Sequence, residues 1–315
     1  MINVKYLVKR FCLFIISLFI VASVTFLLMK AVPGDPFMQE QAIPEEIMQN
    51  LYKHYGLNQP WYVQYGNYLY KIITWNLGPS FKHEGRTVND IIKTAFPVSF
   101  VLGLEAVFIA LSMGISLGII SAIKRSKWQD HVCMAFSVIG VSIPSFILGT
   151  FLQYIFAMKL GLFPVARWGS FSQSILPAFS LAALPTAFIA RLTRTNMVEV
   201  LEQDYVQTAK SKGLSTMQIV WKHVLKNSIL PVIAYLGHVA STILTGSFVV
   251  EKIFGIPGLG SWFVTSIINR DYTVIMGVTV FYSALLMICM FFIDVTYTCI
   301  DPRVQLLTPK CFKHE

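Results

Sequence analysis

The stretch AFPVSFVLGLEAVFIALSMGISLGIISAI, residues 95–123, holds one charged side chain, Glu105. At about 1.5 Å per helical residue it is long enough to cross roughly 30 Å of hydrocarbon. Five further runs have the same character: Phe11 to Met29, Val132 to Met158, Gly169 to Ala190, Asn227 to Val250 and Tyr272 to Ile293. The 315-residue chain is 55% hydrophobic and 13% charged, whereas about 25% charged is usual for a soluble globule. Lipid offers backbone groups no partner, and the alternation of a membrane barrel is absent, so the runs are expected as helices. The expected fold class is an all-α integral membrane protein with six transmembrane helices.

Basic residues orient the bundle. With the N-terminus inside, fifteen of the 25 Lys and Arg fall on cytoplasmic segments, among them Lys9, Arg10, Lys124, Arg125, Arg191, Arg194, Lys210 and Lys212. The net charge of +9 is then accounted for by topology and anionic lipid, without a nucleic-acid partner. Both termini are expected in the cytoplasm. The first run has a basic flank but no small-x-small cleavage pattern before AVPGDPF, and is read as a retained helix. Cys12, Cys133, Cys289, Cys299 and Cys311 all fall in helices or on the inner side, so neither a disulfide framework nor a metal site is suggested.

The expected organisation is an N-terminal helix within residues 1–30, an extracytoplasmic loop over 31–94, a five-helix core over 95–300 and a tail over 301–315. In the outer loop, Pro44 with Glu45 and Glu46 starts a short helix and Gly56 stops it. The run WYVQYGNYLYKIITW, residues 61–75, suits a segment at headgroup level, or equally a cap packed on the helices below. EKIFGIPGLG, residues 251–260, demands tight backbone turns; with no strand before it and no lysine following, it is not a phosphate loop.

Between the fourth and fifth runs lies a polar loop, residues 191–226. Asp204 is expected to cap a helix over Tyr205 to Lys212, Gly213 to supply a left-handed stop, and Ser215 with Gln218 to form a capping box for a second helix. Tyr205, Thr208, Ala209 and Lys212 recur at i, i+3, i+4 and i+7, with the small Ala209 central. Asp204, Lys210 and Lys212 alone would cost about 8 kcal/mol in lipid, so the loop faces water. A helical elbow of this kind suits docking into a soluble partner; a mere connector between helices fits the local pattern equally well.

Other chemistry-bearing residues are few. Glu105 sits inside a span, where a carboxylate faces either a translocation path or a hydrogen-bonding neighbour helix. Asp294 reads as interfacial and His238 as a satisfied polar residue. GISLG, residues 114–118, formally matches a hydrolase nucleophile pattern, but within a helix Gly114 and Gly118 give G-x-x-x-G packing. No catalytic residue and no metal ligand set is assigned, and the chain is read as no enzyme. An ion-coupled secondary carrier is the alternative from another class; such proteins generally show paired halves and several intramembrane ionisable groups. No Walker A sequence occurs, so any ATP must be hydrolysed by another polypeptide.

DYVQTAKSKGL (204–214) followed by WKHVLKNSILP (221–231) resembles the cytoplasmic signature of ATP-binding-cassette permeases, in the form of the peptide and nickel group. Pro231 lies farther from Gly213 than in the generic signature, a departure the peptide-type permeases share. LLMKAVPGDPF, YGLNQP, NLGPSFK, SIPSF, ARLTRTNMVEVL, FGIPGLG, NRDY and DPR extend the resemblance through nearly the whole chain, most closely to the B-type subunit of oligopeptide permeases. The short segment between the third and fourth runs favours that branch over its dipeptide relatives.

The resemblance implies a type I importer permease fold in a bacterial inner membrane, with cargo of oligopeptides or, alternatively, dipeptides or nickel and other metal chelates. It implies a heterodimer with a second homologous permease, two cytoplasmic ATP-binding subunits that use ATP and Mg, and an extracytoplasmic peptide-binding protein. This chain would bind no cofactor. Asp204, Tyr205, Thr208, Ala209, Lys212 and Gly213 would make the joint to the ATPase.

Overall fold

The computed structural model describes residues 4–32, 34, 37, 44–244 and 247–300, with side chains at all of these except 4–7, 238, 240, 241, 244, 294 and 296–300. Asp294, His238, Cys299, Cys311 and the DPR tripeptide therefore lie outside the described side chains. Among the described residues the structure is helical, with one isolated bridge between Pro79 and Thr87. Two compact units are formed, Met1–Pro97 with Gly258–Glu315, and Val98–Pro257.

Four described helices are long and apolar enough to cross a membrane: α1 (Val4–Ala31), α4 (Val88–Ile123), α7 (Phe171–Leu201) and α14 (Tyr272–Ile300). The short helices α2 (Glu45–Tyr55) and α3 (Trp61–Ile73) fall between α1 and α4. The expected span from Val132 to Met158 is broken. Helix α5 (Trp128–Ser142) meets α6 (Ser145–Leu152) and the π-helical Gln153–Lys159 at a bend of 106°. Pro144 forces the break: Ile143 before it is extended, at φ −97° and ψ 119°, as a residue preceding proline prefers.

The expected span from Asn227 to Val250 is also divided. Helix α8 (Asp204–Ser211) and α9 (Thr216–Ile219) lead through a π-helical turn, Val220–Val224, into α10 (Leu225–Ser228) and then α11 (Leu230–Leu244). Helices α12 (Phe248–Ile253) and α13 (Leu259–Asn269) then lead to α14.

In the first unit, α1 turns a broad apolar face outward, with Phe11, Ile16, Phe19, Ile20, Leu27 and Leu28 each more than half exposed, the pattern of a lipid-facing helix. Its other face buries Ala22 and Phe26 against Tyr68 and Val280. Helix α2 starts after Pro44 and stops at Gly56, whose φ of 69° needs a residue without a Cβ penalty. The aromatic run of α3 packs as the expected cap on one side and is exposed on the other. Trp61, Tyr62 and Tyr70 are exposed, while Tyr65 and Tyr68 pack on Phe26 at ring separations of 5.2 and 5.9 Å. Asp271 caps α14, accepting from the Thr273 hydroxyl at 2.9 Å and the Val274 amide at 3.4 Å. It also ties in the outer loop, through the Ser80 hydroxyl and the Phe81 amide.

In the second unit α7 is the central helix. Its Leu176, Ala178, Ala182 and Ile189 join Leu102, Ala106, Ala110, Val250 and Phe254 in one core. Helices α4 and α7 touch at backbone distance. A Cβ on Gly114 would lie 2.8 Å from the Ile189 Cβ, and one on Gly118 would lie 2.5 Å from the Thr193 Cβ. The G-x-x-x-G reading of GISLG therefore holds.

Candidate functional site

Helix α7 runs past its apolar portion, through Arg191 and Arg194, to Leu201. Glu202 closes it, Gln203 is extended, and α8 begins at Asp204. Gln203, not Asp204, is the N-cap, and it makes no side-chain cap bond; Asp204 is instead an exposed acid in the first turn, where the helix dipole favours it. The amides of Gly213 and Leu214 return to the carbonyls of Lys210 (2.9 Å) and Ala209 (3.4 Å). Gly213 supplies the positive φ, 80°, that this reversal requires. The expected capping box is present: Gln218 N to Ser215 Oγ is 3.4 Å and Ser215 N to Gln218 Oε1 is 3.0 Å.

The face expected on α8 divides. Asp204, Tyr205, Thr208 and Lys212 are exposed, whereas Ala209 is 6% exposed and Val206 wholly buried. The reason is the apolar stripe. Val206 and Ala209, at i and i+3, pack with Ile219, Val220, Val224, Met197 and Ala122 in one cluster, seating the elbow on the last turns of α4 and α7. Ala209 is small because its own chain surrounds it. Asn227 in α10 donates to the Tyr205 hydroxyl at 2.8 Å and holds that ring at the edge of the outward face.

Beneath the elbow lies a group that sequence reasoning passed over. Asp130 in the first turn of α5 is 2% exposed and receives both arms of Arg194: Nε to Oδ1 and Nη2 to Oδ2 are each 2.7 Å. The Ser121 hydroxyl and the Ser126 amide, the latter at 2.9 Å, donate to the same carboxylate. The pair joins the α4–α5 turn to α7, and a bidentate Arg–carboxylate contact fixes orientation as well as distance. A second pair nearby, Arg125 with Glu202, is exposed on both sides and contributes little. The signal available in the sequence was an arginine just past the apolar portion of α7, which needs an acid.

Glu105 is not part of the elbow. It precedes Ala122 by 17 residues on the same helix, about 25 Å. It is half-buried, and its Oε2 makes no hydrogen bond among the described residues. Glu251, also overlooked, is fully buried at the start of EKIFGIPGLG and accepts from the Ser99 hydroxyl at 2.7 Å. Ser116 of GISLG donates to the Ser112 carbonyl at 2.6 Å in mid-helix, far from a nucleophile's geometry. Among the described residues no cluster of three or more His, Cys, Asp or Glu could hold a metal ion.

Two family models match the chain. One, for the inner membrane component of binding-protein-dependent transport systems, covers residues 114–306; the other, for the N-terminal part of the membrane component, covers residues 3–103. A dipeptide transport system permease protein of Bacillus subtilis is 49% identical over 96% of this chain and 98% of its own length. An oligopeptide transport system permease protein of Haemophilus influenzae is 41% identical over 96% and 99%. Among solved structures, an inward-facing methionine ABC transporter, MetNI, shares the fold at a TM-score of 0.58 and 18% identity, covering 67% of this chain and 96% of its own.

The spans, the central α7 and the elbow define a multi-pass membrane permease with the fold of ABC importers. The chain belongs to the family of inner membrane components of binding-protein-dependent transport systems.

Proposed function

We propose that the chain is a permease subunit of an ATP-driven peptide importer. It lines part of the translocation path and takes its energy from ATPase subunits docked on the outward face of the elbow. The carrying observation is the division of α8: Val206 and Ala209 are committed to the chain's own core, which leaves Asp204, Tyr205, Thr208 and Lys212 as an exposed, rigidly seated polar face. A second permease chain and an extracytoplasmic binding protein complete the complex, with both termini of this chain in the cytoplasm.

Peptide cargo is supported by relatives named for dipeptides and for oligopeptides. The short segment between Lys159 and Phe171 does not choose between them, because the Bacillus dipeptide permease aligns over 98% of its length and so carries no long insertion there. The test is uptake of labelled di- and oligopeptides into proteoliposomes holding the full complex. With ATP inside and the proton gradient collapsed, uptake should persist. Tyr205→Ala combined with Lys212→Glu should reduce it at least tenfold at unchanged abundance of this chain. Uptake that follows the proton gradient, or is unaltered in the variant, refutes the proposal.

A further inference from the structure

Helix α3 is apolar on more sides than its own unit covers. Of its 13 residues, WYVQYGNYLYKII, only Lys71 is charged. One side is used within the first unit: Tyr65, Tyr68, Leu69 and Ile72 pack with Ala22 and Phe26 of α1 and with Met276 and Val280 of α14. A hydrogen bond of 2.6 Å between the Tyr65 and Ser23 hydroxyls fixes the contact on α1. On the other side Trp61, Tyr62, Tyr70 and Ile73 are exposed, Ile73 at 83%, and Trp75 continues them past the helix end. A helix that is apolar nearly all round belongs in apolar surroundings.

Two spans measure the level at which α3 sits. Ser23 and Phe26 precede the end of α1 at Ala31 by about 12 and 8 Å along its axis. Met276 and Val280 follow the start of α14 at Tyr272 by about 6 and 12 Å. The apolar stretches of these helices, Val8–Ala31 and Tyr272–Ile293, hold 24 and 22 residues, about 36 and 33 Å. Once roughly 30 Å of hydrocarbon is crossed, only about 3–6 Å of each is left over. The contacts of α3 lie deeper than that remainder. They place the helix at the edge of the hydrocarbon, in the leaflet where α1 ends, which is the outer one in the expected orientation.

The side chains agree with that depth. Tyr and Trp favour the boundary between headgroups and acyl chains. The polar groups of α3 are engaged with neighbouring chain. The Gln64 amide donates to the Leu57 and Gln59 carbonyls at 3.0 and 2.7 Å, and Asn67 donates to Gln59 Oε1 at 3.3 Å. The Lys71 ammonium turns to the following loop, 3.2 Å from where a Cβ on Gly78 would stand. Lipid is also the neighbour of α1 at this level, since Val24, Leu27 and Leu28, interleaved with Ser23 and Phe26, are exposed. Helix α2 is of another kind: it exposes Glu45, Glu46, Lys53 and His54 and buries no residue, as suits water. We propose that α3 is a membrane-embedded helix lying among the lipids of that leaflet, with Tyr62, Tyr70, Ile73 and Trp75 in contact with lipid.

The test uses the full chain, alone and in the assembled complex, in vesicles of phosphatidylethanolamine and phosphatidylglycerol. Spin labels on Tyr70→Cys, Ile73→Cys and Lys53→Cys, each in a background free of the five native cysteines, report collisions with oxygen, which concentrates in hydrocarbon, and with a water-soluble nickel chelate. The oxygen-to-nickel ratio at 70 and 73 should exceed that at 53 several-fold, in the chain alone and in the complex. A second measurement leaves the cysteines in place. Lipid brominated on its acyl chains near the headgroup should quench tryptophan fluorescence, and the quenched component should shrink when Trp61→Phe and Trp75→Phe are combined.

A ratio at 70 and 73 no higher than at 53 puts α3 in water. Few collisions with either reagent, in the chain alone or only in the complex, put protein over the face. Each of these results overturns the proposal, as does a quenched component unchanged by the loss of the two tryptophans.

Discussion

Removing either partner of the Asp130–Arg194 pair should cost unequal amounts. The carboxylate is 2% exposed, while the arginine side chain is 29% exposed. In Arg194→Met the carboxylate keeps the Ser121 hydroxyl and the Ser126 amide but loses its counter-ion and two hydrogen bonds, in a place water does not reach. Stranding a buried charge costs about 3–5 kcal/mol. In Asp130→Asn the guanidinium swings its exposed edge into water, and the amide oxygen still accepts from Ser126. The loss is then that of a charge-assisted hydrogen bond, about 1.5–3 kcal/mol. The double variant buries no uncompensated charge and should be more stable than Arg194→Met alone. Reversible unfolding in mixed micelles with a denaturing detergent measures all three. If Asp130→Asn costs as much as Arg194→Met, or if the two losses simply add, the pair is not what holds the α4–α5 turn to α7.

The glycine contact gives a second expectation. Gly118→Leu places a Cβ 2.5 Å from Thr193 and 2.8 Å from the Ala190 carbonyl, so α4 and α7 must part and the variant should lose at least about 3 kcal/mol in the same assay. Gly66→Ala in α3, where nothing lies within 4 Å, should instead gain about 0.5–1 kcal/mol. Third, the two sides of α8 should respond differently to one charge. Ala209→Glu enters the apolar seat and should speed hydrogen exchange through 204–224. Thr208→Glu should leave exchange unchanged and impair uptake in the reconstituted complex.

Periodicity and composition made much of this architecture readable. The four long helices were legible as uncharged runs, the ends of α2 as Pro44 and Gly56, and the elbow as Gly213 with its capping box. The break at Pro144 was not legible, because a run judged by hydrophobicity shows no interruption where only backbone geometry changes. The inward turn of Ala209 was missed for a related reason. The i, i+3, i+4, i+7 rule groups residues on one side of a helix, but the direction of that side was decided by Met197 and Ala122 on other helices. Asp130 and Arg194 lie 64 residues apart, and no local pattern joins them.

The corner at Pro144 sets a condition on the medium around it. Helix α5 ends after 15 residues, about 22 Å, so the corner comes before a span of roughly 30 Å is complete. The carbonyls of Gly140 to Ser142 and the amides of Ser145 to Ile147 have no partner within their own helices, and no side chain caps α6. Ser142 and Pro144 stand on the surface of the chain. Hydrocarbon would leave these dipoles unsolvated at several kcal/mol apiece. The surroundings of this corner in the membrane must therefore be hydrogen-bonding, supplied by water or by another polypeptide, and the bilayer around the chain cannot be uniformly dry.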